Sequence, residues 1–201
     1  MSAWEKIEQG WHKVEQNRYF LAVEDILIFL VLTLAIHYAW RFWAYHLNYA
    51  PFEKEMDSLL GFLIHQLNLQ TAWVFDHLVP VPYSFHDGSF WFPNGWGMNI
   101  NGSCSGLKQI VQFGLLMVLF PGPWKHKAWF IPAGMLLLHF VNLFRLILLA
   151  LTLDHIPQHV YLIHHFLLRL LFYIVIFGLW LMWIRYFYPG RSKPQPQTGN
   201  Q

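Results

Sequence analysis

Four long apolar segments constrain the fold of this chain more than any other feature of its sequence. They lie near residues 26–47, 105–121, 128–153 and 163–188. A helix rises ~1.5 Å per residue, so about 20 apolar residues cross the ~30 Å hydrocarbon core of a bilayer. Backbone groups inside lipid must find hydrogen-bond partners within the protein, which favours helices. We therefore predict an all-α polytopic membrane protein with about four transmembrane helices.

The composition agrees with a lipid environment. Hydrophobic residues make up 56% of the chain and charged residues only 12%, about half the usual charged fraction. The formal net charge is +2 with histidine neutral, and the basic residues are scattered singly. Such scattering provides no basic stripe, so we expect no nucleic-acid partner. The single cysteine, Cys104, cannot form an internal disulfide and leaves a free thiol to be explained.

The two ends of the chain are predicted to lie outside the bilayer core. Residues 1–25 place apolar side chains at helical spacing between charges, which is typical of an amphipathic surface helix: Trp4, Ile7, Trp11 and Val14. The first apolar segment starts too far from the N-terminus and lacks a small-residue cleavage site, so we expect an anchor and no cleaved signal peptide. Residues 189–201 are polar and proline-rich, which predicts a disordered cytoplasmic tail. The transmembrane domain then covers residues 26–188.

Two stretches between the first and second apolar segments are too polar to span lipid. Residues 58–80 have spanning length, yet several polar side chains there would be costly if left unpaired in lipid: His65, Gln66, Asn68, Gln70, Asp76 and His77. We predict an interfacial or re-entrant helix. After it, aromatic and polar residues alternate around His86-Asp87-Gly88 and Pro93-Asn94-Gly95. Those turn signals predict a short extracytoplasmic hairpin at the membrane face.

Lysine and arginine in short loops predict the orientation. Lys125 and Lys127 connect the second and third spans and Arg185 ends the fourth, whereas the loop 154–162 has neither residue type. Both termini should therefore face the cytoplasm of a cytoplasmic (inner) cell membrane. The loop, the hairpin and Cys104 should lie on the extracytoplasmic side. Four spans fit this arrangement only if residues 58–80 do not cross.

This topology brings a thiol, a guanidinium and imidazoles towards one layer. Cys104 begins the second span, Arg145 lies about eight residues before the end of the third, and His164 and His165 open the fourth. Each has a structural alternative, because a cysteine can pack, an arginine can snorkel and interfacial histidines are common. However, an arginine inside the membrane costs roughly 2.5 to 3.5 kcal/mol and is functional by default. The combination favours cysteine chemistry.

The three residue types complement one another chemically. A thiolate is the attacking form of cysteine, and a neighbouring imidazolium stabilises that form and can then protonate a leaving amine. A guanidinium, which is always charged, can hold the oxyanion of a tetrahedral intermediate. Water is scarce at a membrane edge, so a thioester could survive until another nucleophile takes the acyl group. This favours transpeptidation over hydrolysis.

Three motifs, CSGLK at 104–108, VNLFRL at 141–146 and HHFLLRLLFYIVIF at 164–177, resemble the signature regions of the exosortase/archaeosortase family. The resemblance covers roughly residues 58–188. It implies a membrane-embedded cysteine peptidase and transpeptidase that cleaves the C-terminal sorting signal of exported proteins and joins them to a surface acceptor, a lipid or a glycan. We expect no cofactor and no metal. The implied roles are nucleophile, oxyanion-side arginine and acid/base for Cys104, Arg145 and His164, with His165, Lys108 and Asn142 as accessory candidates.

The sequence departs from the family pattern at several positions. Lys108 stands where an arginine often follows the Cys-Ser-Gly-Leu group, and His165 replaces a frequent aspartate. A glycine expected soon afterwards is missing, so His164 and His165 both stay open as the acid/base. We therefore expect a short member of the family, without the extra N-terminal spans of larger members.

Two functions of other classes stay open at this point. A membrane haem protein could use paired histidines such as His139 and His164 as axial ligands. A non-catalytic subunit for the export or assembly of an envelope polysaccharide could use the same cluster only to hold its helices together.

Overall fold

The computed structural model describes residues 18–188, without the side chains of residues 18–22, 164, 165 and 169. This part of the chain is mostly helical and carries one small sheet. In order, its elements are helix α1 (Arg18–His46), helix α2 (Glu53–His77), strands β1 (Ser84–His86), β2 (Ser89–Trp91) and β3 (Gly97–Asn99), a 3₁₀ turn (Gly102–Cys104), helices α3 (Leu107–Leu119) and α4 (Trp124–His155), a second 3₁₀ turn (Pro157–His159), a short α5 (Val160–Leu162), a π-helical segment (Ile163–Leu167) and helix α6 (Leu168–Phe187).

Three of these helices are long and apolar enough to cross a membrane: Val23–His46, Trp124–His155 and Leu170–Phe187. They correspond to the first, third and fourth predicted spans. In place of the second stands α3, whose 13 residues rise only about 20 Å, less than the ~30 Å core. Gly106 precedes this helix and Pro121 follows its last turn, so the apolar run is longer than the helix it forms. The helical membrane fold is confirmed, whereas a fourth full span is not.

Residues 58–80, predicted as interfacial or re-entrant, belong largely to α2. This helix is unbroken over 25 residues and is not among the candidate spans. One face is buried in the protein, with Leu67, Val74 and Phe75 on it. The other presents exposed apolar side chains: Leu59, Phe62, Leu69 and Trp73. The segment is therefore one continuous helix as far as His77, and its depth relative to the membrane surface stays a prediction.

The predicted hairpin is a three-stranded antiparallel sheet in the order β1-β2-β3. Asp87 and Gly88 form its first turn with φ of 53° and 70°, the positive values that two-residue hairpin turns need. In the second turn, the Asn94 side-chain amide donates to the carbonyl oxygens of Leu153 (2.7 Å) and Asp154 (3.0 Å). These carbonyls end α4, so the sheet lies at the C-terminal end of that helix.

At the opposite end of the helix bundle, the start of α4 packs against the end of α6. The rings of Phe130 and Trp183 lie 5.2 Å apart there. Lys127, predicted to lie in a loop, belongs to the first turn of α4 and is buried. Its Nζ donates to the carbonyl oxygens of Val118 (3.0 Å) and Phe120 (2.6 Å) at the end of α3. Its charge is therefore held by carbonyls that the last turn of α3 leaves without helical partners.

The predictions for the chain ends fall largely outside the described residues. The proposed amphipathic helix lies outside the described residues except for residues 18–25, which continue directly into the span as part of α1. The tail at 189–201 lies outside them entirely.

Candidate active site

Cys104 closes the 3₁₀ turn that links the sheet to α3. The Ser105 hydroxyl donates to the carbonyl oxygen of Gly102 (2.8 Å) and accepts from the backbone N–H of Leu107 (3.2 Å). Serine side chains form such local bonds readily, in competition with regular secondary structure. The small polar residues around the cysteine thus fold a compact turn that fixes the backbone on which the thiol is carried.

Gly106 is required by the position of α4 next to this turn. Its φ is +74°, a conformation that costs most residues energy because of their Cβ atom. A Cβ atom there would also lie 2.9 Å from Cγ of Asn142. The glycine of the Cys-Ser-Gly-Leu motif therefore allows α4 to approach the cysteine turn closely.

Asn142 connects Cys104 to Arg145. It is fully buried, and its Nδ2 donates to the carbonyl oxygen of Cys104 at 3.0 Å. Its Oδ1 accepts a long hydrogen bond, 3.5 Å, from Nη1 of Arg145, which lies on the same face of α4 one turn later. The structure thus brings two of the predicted site residues together through a third.

Arg145 is held inside the protein. It is 7% exposed, and its guanidinium carbon lies 5.8 Å from the ring centroid of Phe172 on α6. The helix continues for ten further residues, to His155, which places Arg145 about 15 Å from the helix end. Arginines at such depth face the interior of a bundle, and here contacts with α4 and α6 fix the guanidinium.

The Cys104 side chain is 6% exposed and belongs to an apolar cluster at the sheet end of the molecule. The cluster joins the sheet through Phe90, α4 through Leu146 and Leu149, and α6 through Leu168. Leu67 and Phe75 of α2 belong to it as well, so the thiol lies where the sheet and three helices meet.

A cavity of about 650 Å³ lies beside the cysteine turn. Gly102 and Ser103 form part of its wall, with Lys108 and Arg145 near them, while Cys104 is not among the lining residues. The thiol is thus separated from the cavity by its own turn. Two of the predicted residues, Arg145 and Lys108, share this space.

The far wall of the cavity consists of residues that sequence reasoning missed: His37, Trp40, Arg41, Tyr45 and Tyr49. Burial raises the pKa of Tyr49, and the charges of Tyr45 and Asp57 raise it further, so its hydroxyl is a neutral donor at physiological pH. The signal that singled out Arg145, an arginine in an apolar segment, could also have found Arg41 within 26–47.

His164 and His165 lie in the π-helical segment Ile163–Leu167. Their side chains are outside the described part of the structure, so their roles stay predictions. The segment begins five residues before Leu168, which packs in the Cys104 cluster. π-Helical turns are rare and occur frequently at functional sites.

His139 is engaged by α2. Its Nε2 lies 2.8 Å from Oε1 of Gln70, within hydrogen-bond distance. Axial ligation of a haem through this nitrogen would require that bond to break, which weighs against the haem alternative.

A protein-family model described as "Transmembrane exosortase" matches residues 12–183. No curated protein and no solved structure gives a significant match. The family match includes all three motifs and every residue of the cavity and of the Cys104–Asn142–Arg145 connection. The chain is therefore an exosortase-like multi-pass membrane protein and belongs to the transmembrane exosortase family.

Proposed function

We propose that this protein is a cysteine transpeptidase that cleaves the C-terminal sorting signal of exported proteins and transfers them to a surface acceptor. The Cys104–Asn142–Arg145 connection beside a cavity carries this proposal. It links the backbone of Cys104, the nucleophile, to Arg145, whose guanidinium is always charged. A merely snorkelling arginine would have no reason to be linked to the cysteine turn.

In the first half of the reaction, the Cys104 thiolate attacks the carbonyl carbon of the scissile peptide bond. The carbonyl oxygen becomes an oxyanion, which the Arg145 guanidinium stabilises by donating hydrogen bonds. When the tetrahedral intermediate collapses, the C–N bond breaks and His164 gives its proton to the leaving amine nitrogen. The products are a thioester on Cys104 and the released C-terminal anchor of the substrate.

In the second half, a hydroxyl or amine of the acceptor attacks the thioester carbonyl. His164, now neutral, takes the proton of that nucleophile, and the C–S bond breaks to regenerate the thiolate. Cys104 belongs to an apolar cluster, and apolar surroundings that exclude water favour transfer over hydrolysis.

Asn142 acts in this scheme as a positioning residue. It touches no reacting atom, but it bonds the backbone of the nucleophile and the guanidinium at once. The relative position of the thiol and the guanidinium matters, because a misplacement of the reacting groups by about 1 Å can cost ~100-fold in rate.

The test is to replace Cys104 by alanine or serine in cells that export a protein ending in a short motif, an apolar helix and a basic tail. We expect both variants to leave that substrate uncleaved with its anchor attached, because a hydroxyl near the membrane lacks thiolate character. Cys104→Ser also serves as a folding control, since it changes one atom at a buried position.

Normal processing by Cys104→Ala would refute the proposed reaction and favour the non-catalytic assembly subunit. A haem absorption band in the visible spectrum of the purified protein would favour the haem alternative instead.

A further inference from the structure

Two depressions meet at Arg41 of α1. One is the cavity beside the cysteine turn, inside the bundle. The other is a groove on α1 itself, of about 440 Å³, lined by Tyr38, Arg41, Phe42, Tyr45 and His46. Arg41 and Tyr45 line both, so the two depressions share part of their wall at this helix.

Three basic side chains line the interior space. Arg41, Lys108 and Arg145 come from three different helices, and no aspartate or glutamate stands among the lining residues within 18–188. Asp57 acts on this wall at Tyr49, whose pKa it raises. Three cations around one cavity favour an anionic ligand, and arginine matches phosphate oxygens especially well.

The groove on α1 is of the opposite character. Tyr38 and Phe42 are exposed, at 64% and 57%, and only 11% of the apolar window of α1 is buried inside the protein. A spanning helix with so little protein contact faces lipid tails along most of its surface. An acyl chain can lie on such a groove, because it needs no hydrogen-bond partners, whereas an extended peptide would bring unpaired backbone groups into lipid.

The length of α1 places Arg41 at the depth of lipid phosphates. Its 29 residues rise about 43 Å, close to the ~40–45 Å of a bilayer with its headgroup layers. Arg41 lies five residues before His46, the last residue of the helix, so it lies about 8 Å from the helix end. That position is near the boundary between the hydrocarbon core and the headgroups. Trp40, Tyr45 and Tyr49 surround it like the aromatic belts found at this boundary.

We propose that this protein binds an anionic phospholipid, with the headgroup phosphate in the cavity against Arg41 and Lys108 and an acyl chain along the α1 groove. Binding forms and breaks no covalent bond. It also goes beyond the proposed reaction, because Arg41, Tyr38 and Phe42 have no part in it.

The test measures lipid retention by the purified full-length chain in detergent, using native mass spectrometry. The probes are dioleoylphosphatidylglycerol, dioleoylphosphatidylcholine and inorganic phosphate. We expect the anionic lipid to be retained in preference to the zwitterionic one. Arg41→Gln and Lys108→Gln should each weaken its apparent Kd roughly tenfold or more, the effect of losing one charge-assisted hydrogen bond.

Matched variants separate the site from general charge and from folding. Arg185→Gln is the control, because Arg185 also lies over a tyrosine ring at 5.7 Å, as Arg41 does, but does not line the cavity. It should bind the anionic lipid like the unmodified chain. Arg41→Lys keeps the charge and should recover part of the affinity, and Phe42→Ala should weaken binding of the lipid. Cys104→Ala should bind normally, which separates this proposal from the proposed reaction.

Several outcomes would overturn the proposal. Equal retention of both lipids, or unchanged binding by Arg41→Gln, would refute the proposed contact between the lipid phosphate and Arg41. Displacement of the lipid by millimolar inorganic phosphate, with no effect of Phe42→Ala, would assign the cavity to free phosphate. Displacement by a sorting-signal peptide, with the same lack of effect of Phe42→Ala, would assign it to the protein substrate.

Discussion

Replacing Asn142 by alanine removes the side chain that joins the cysteine turn to Arg145. The change deletes the donor to the Cys104 carbonyl oxygen at 3.0 Å and the acceptor for Arg145 at 3.5 Å. Asn142 is fully buried, so water cannot readily replace either partner. We expect an enzyme that reaches the membrane but processes its substrate poorly.

The two lost hydrogen bonds differ in how much each contributes to stability. A buried carbonyl deprived of a donor costs about 1–3 kcal/mol, whereas the longer contact with Arg145 lies at the edge of hydrogen-bond geometry and contributes less. The stability loss is therefore moderate. The larger effect is positional, because a shift of about 1 Å between nucleophile and oxyanion donor can cost ~100-fold in rate.

Asn142→Asp divides these two roles. An aspartate keeps an oxygen for Arg145, but it replaces the amide donor by a second acceptor facing the Cys104 carbonyl. Processing should fail in this variant too, because two oxygens at that separation repel each other. Failure in both variants would identify the bond to the cysteine turn as the important one.

The assay is the fraction of exported precursor processed in cells, normalised to folded enzyme in the membrane. Thr152→Ala is the matched control: Thr152 is buried on the same helix, and its hydroxyl donates only to the carbonyl oxygen of Leu148 in that helix, at 2.7 Å. It should lose about 1 kcal/mol of stability and keep its processing. If Asn142→Ala processed substrate as well as Thr152→Ala, the positioning role would be refuted.

The other predictions concern the remaining parts of the site. Arg145→Lys keeps the charge but loses the planar fork, so processing should fall ~100- to 1000-fold; full activity would remove the oxyanion role. Gly106→Ala should lower the thermal stability and the processing together, because its Cβ would lie 2.9 Å from Asn142; an unchanged melting temperature would contradict this. His164→Ala should block processing with His165→Ala milder, and the reverse order in the same precursor assay would shift the acid/base by one residue. A reagent that cannot cross membranes should label the site cysteine from outside intact cells, with an engineered cysteine in loop 154–162 as the control for burial; labelling only after the membrane is opened would reverse the orientation.

The spans could be predicted because their signal is local. Long apolar runs with few charges form helices in lipid whatever their tertiary contacts, and α1, α4 and α6 follow the predicted segments closely. The sheet turns were predictable for a similar reason, since Asp87-Gly88 needs a backbone conformation that few other pairs adopt. The third strand carried no comparable local signal.

The length of α3 could not be read from hydropathy. The apolar run extends from 105 to 121, but the helix covers only Leu107–Leu119. It begins after Gly106, whose positive φ and missing Cβ leave room for Asn142 of α4, and it ends before Pro121, where Lys127 from the first turn of α4 binds its last carbonyls. The glycine and the proline are visible in a window of sequence. The contacts with Asn142 and Lys127 are tertiary and are not.

The same distinction applies to the site. Cys104 and Arg145 could be predicted as partners from topology and from the family motifs, but their connection through Asn142 depends on a side-chain amide reaching a backbone carbonyl 38 residues away. Arg41 carried the same local signal as Arg145, but its place in the cavity wall depends on helices that are distant in sequence.

The histidine pair shows how backbone geometry alters an argument made from sequence. Consecutive residues of an α-helix point about 100° apart, so an α-helical start of the fourth span would not let His164 and His165 face Cys104 equally well. Both lie in a π-helical segment, where hydrogen bonds run from i to i+5 and each turn holds more residues. Successive backbone positions are then separated by less than 100° about the helix axis. The loss of activity in His165→Ala should therefore be larger than an α-helical start would imply, even if His164 carries the proton.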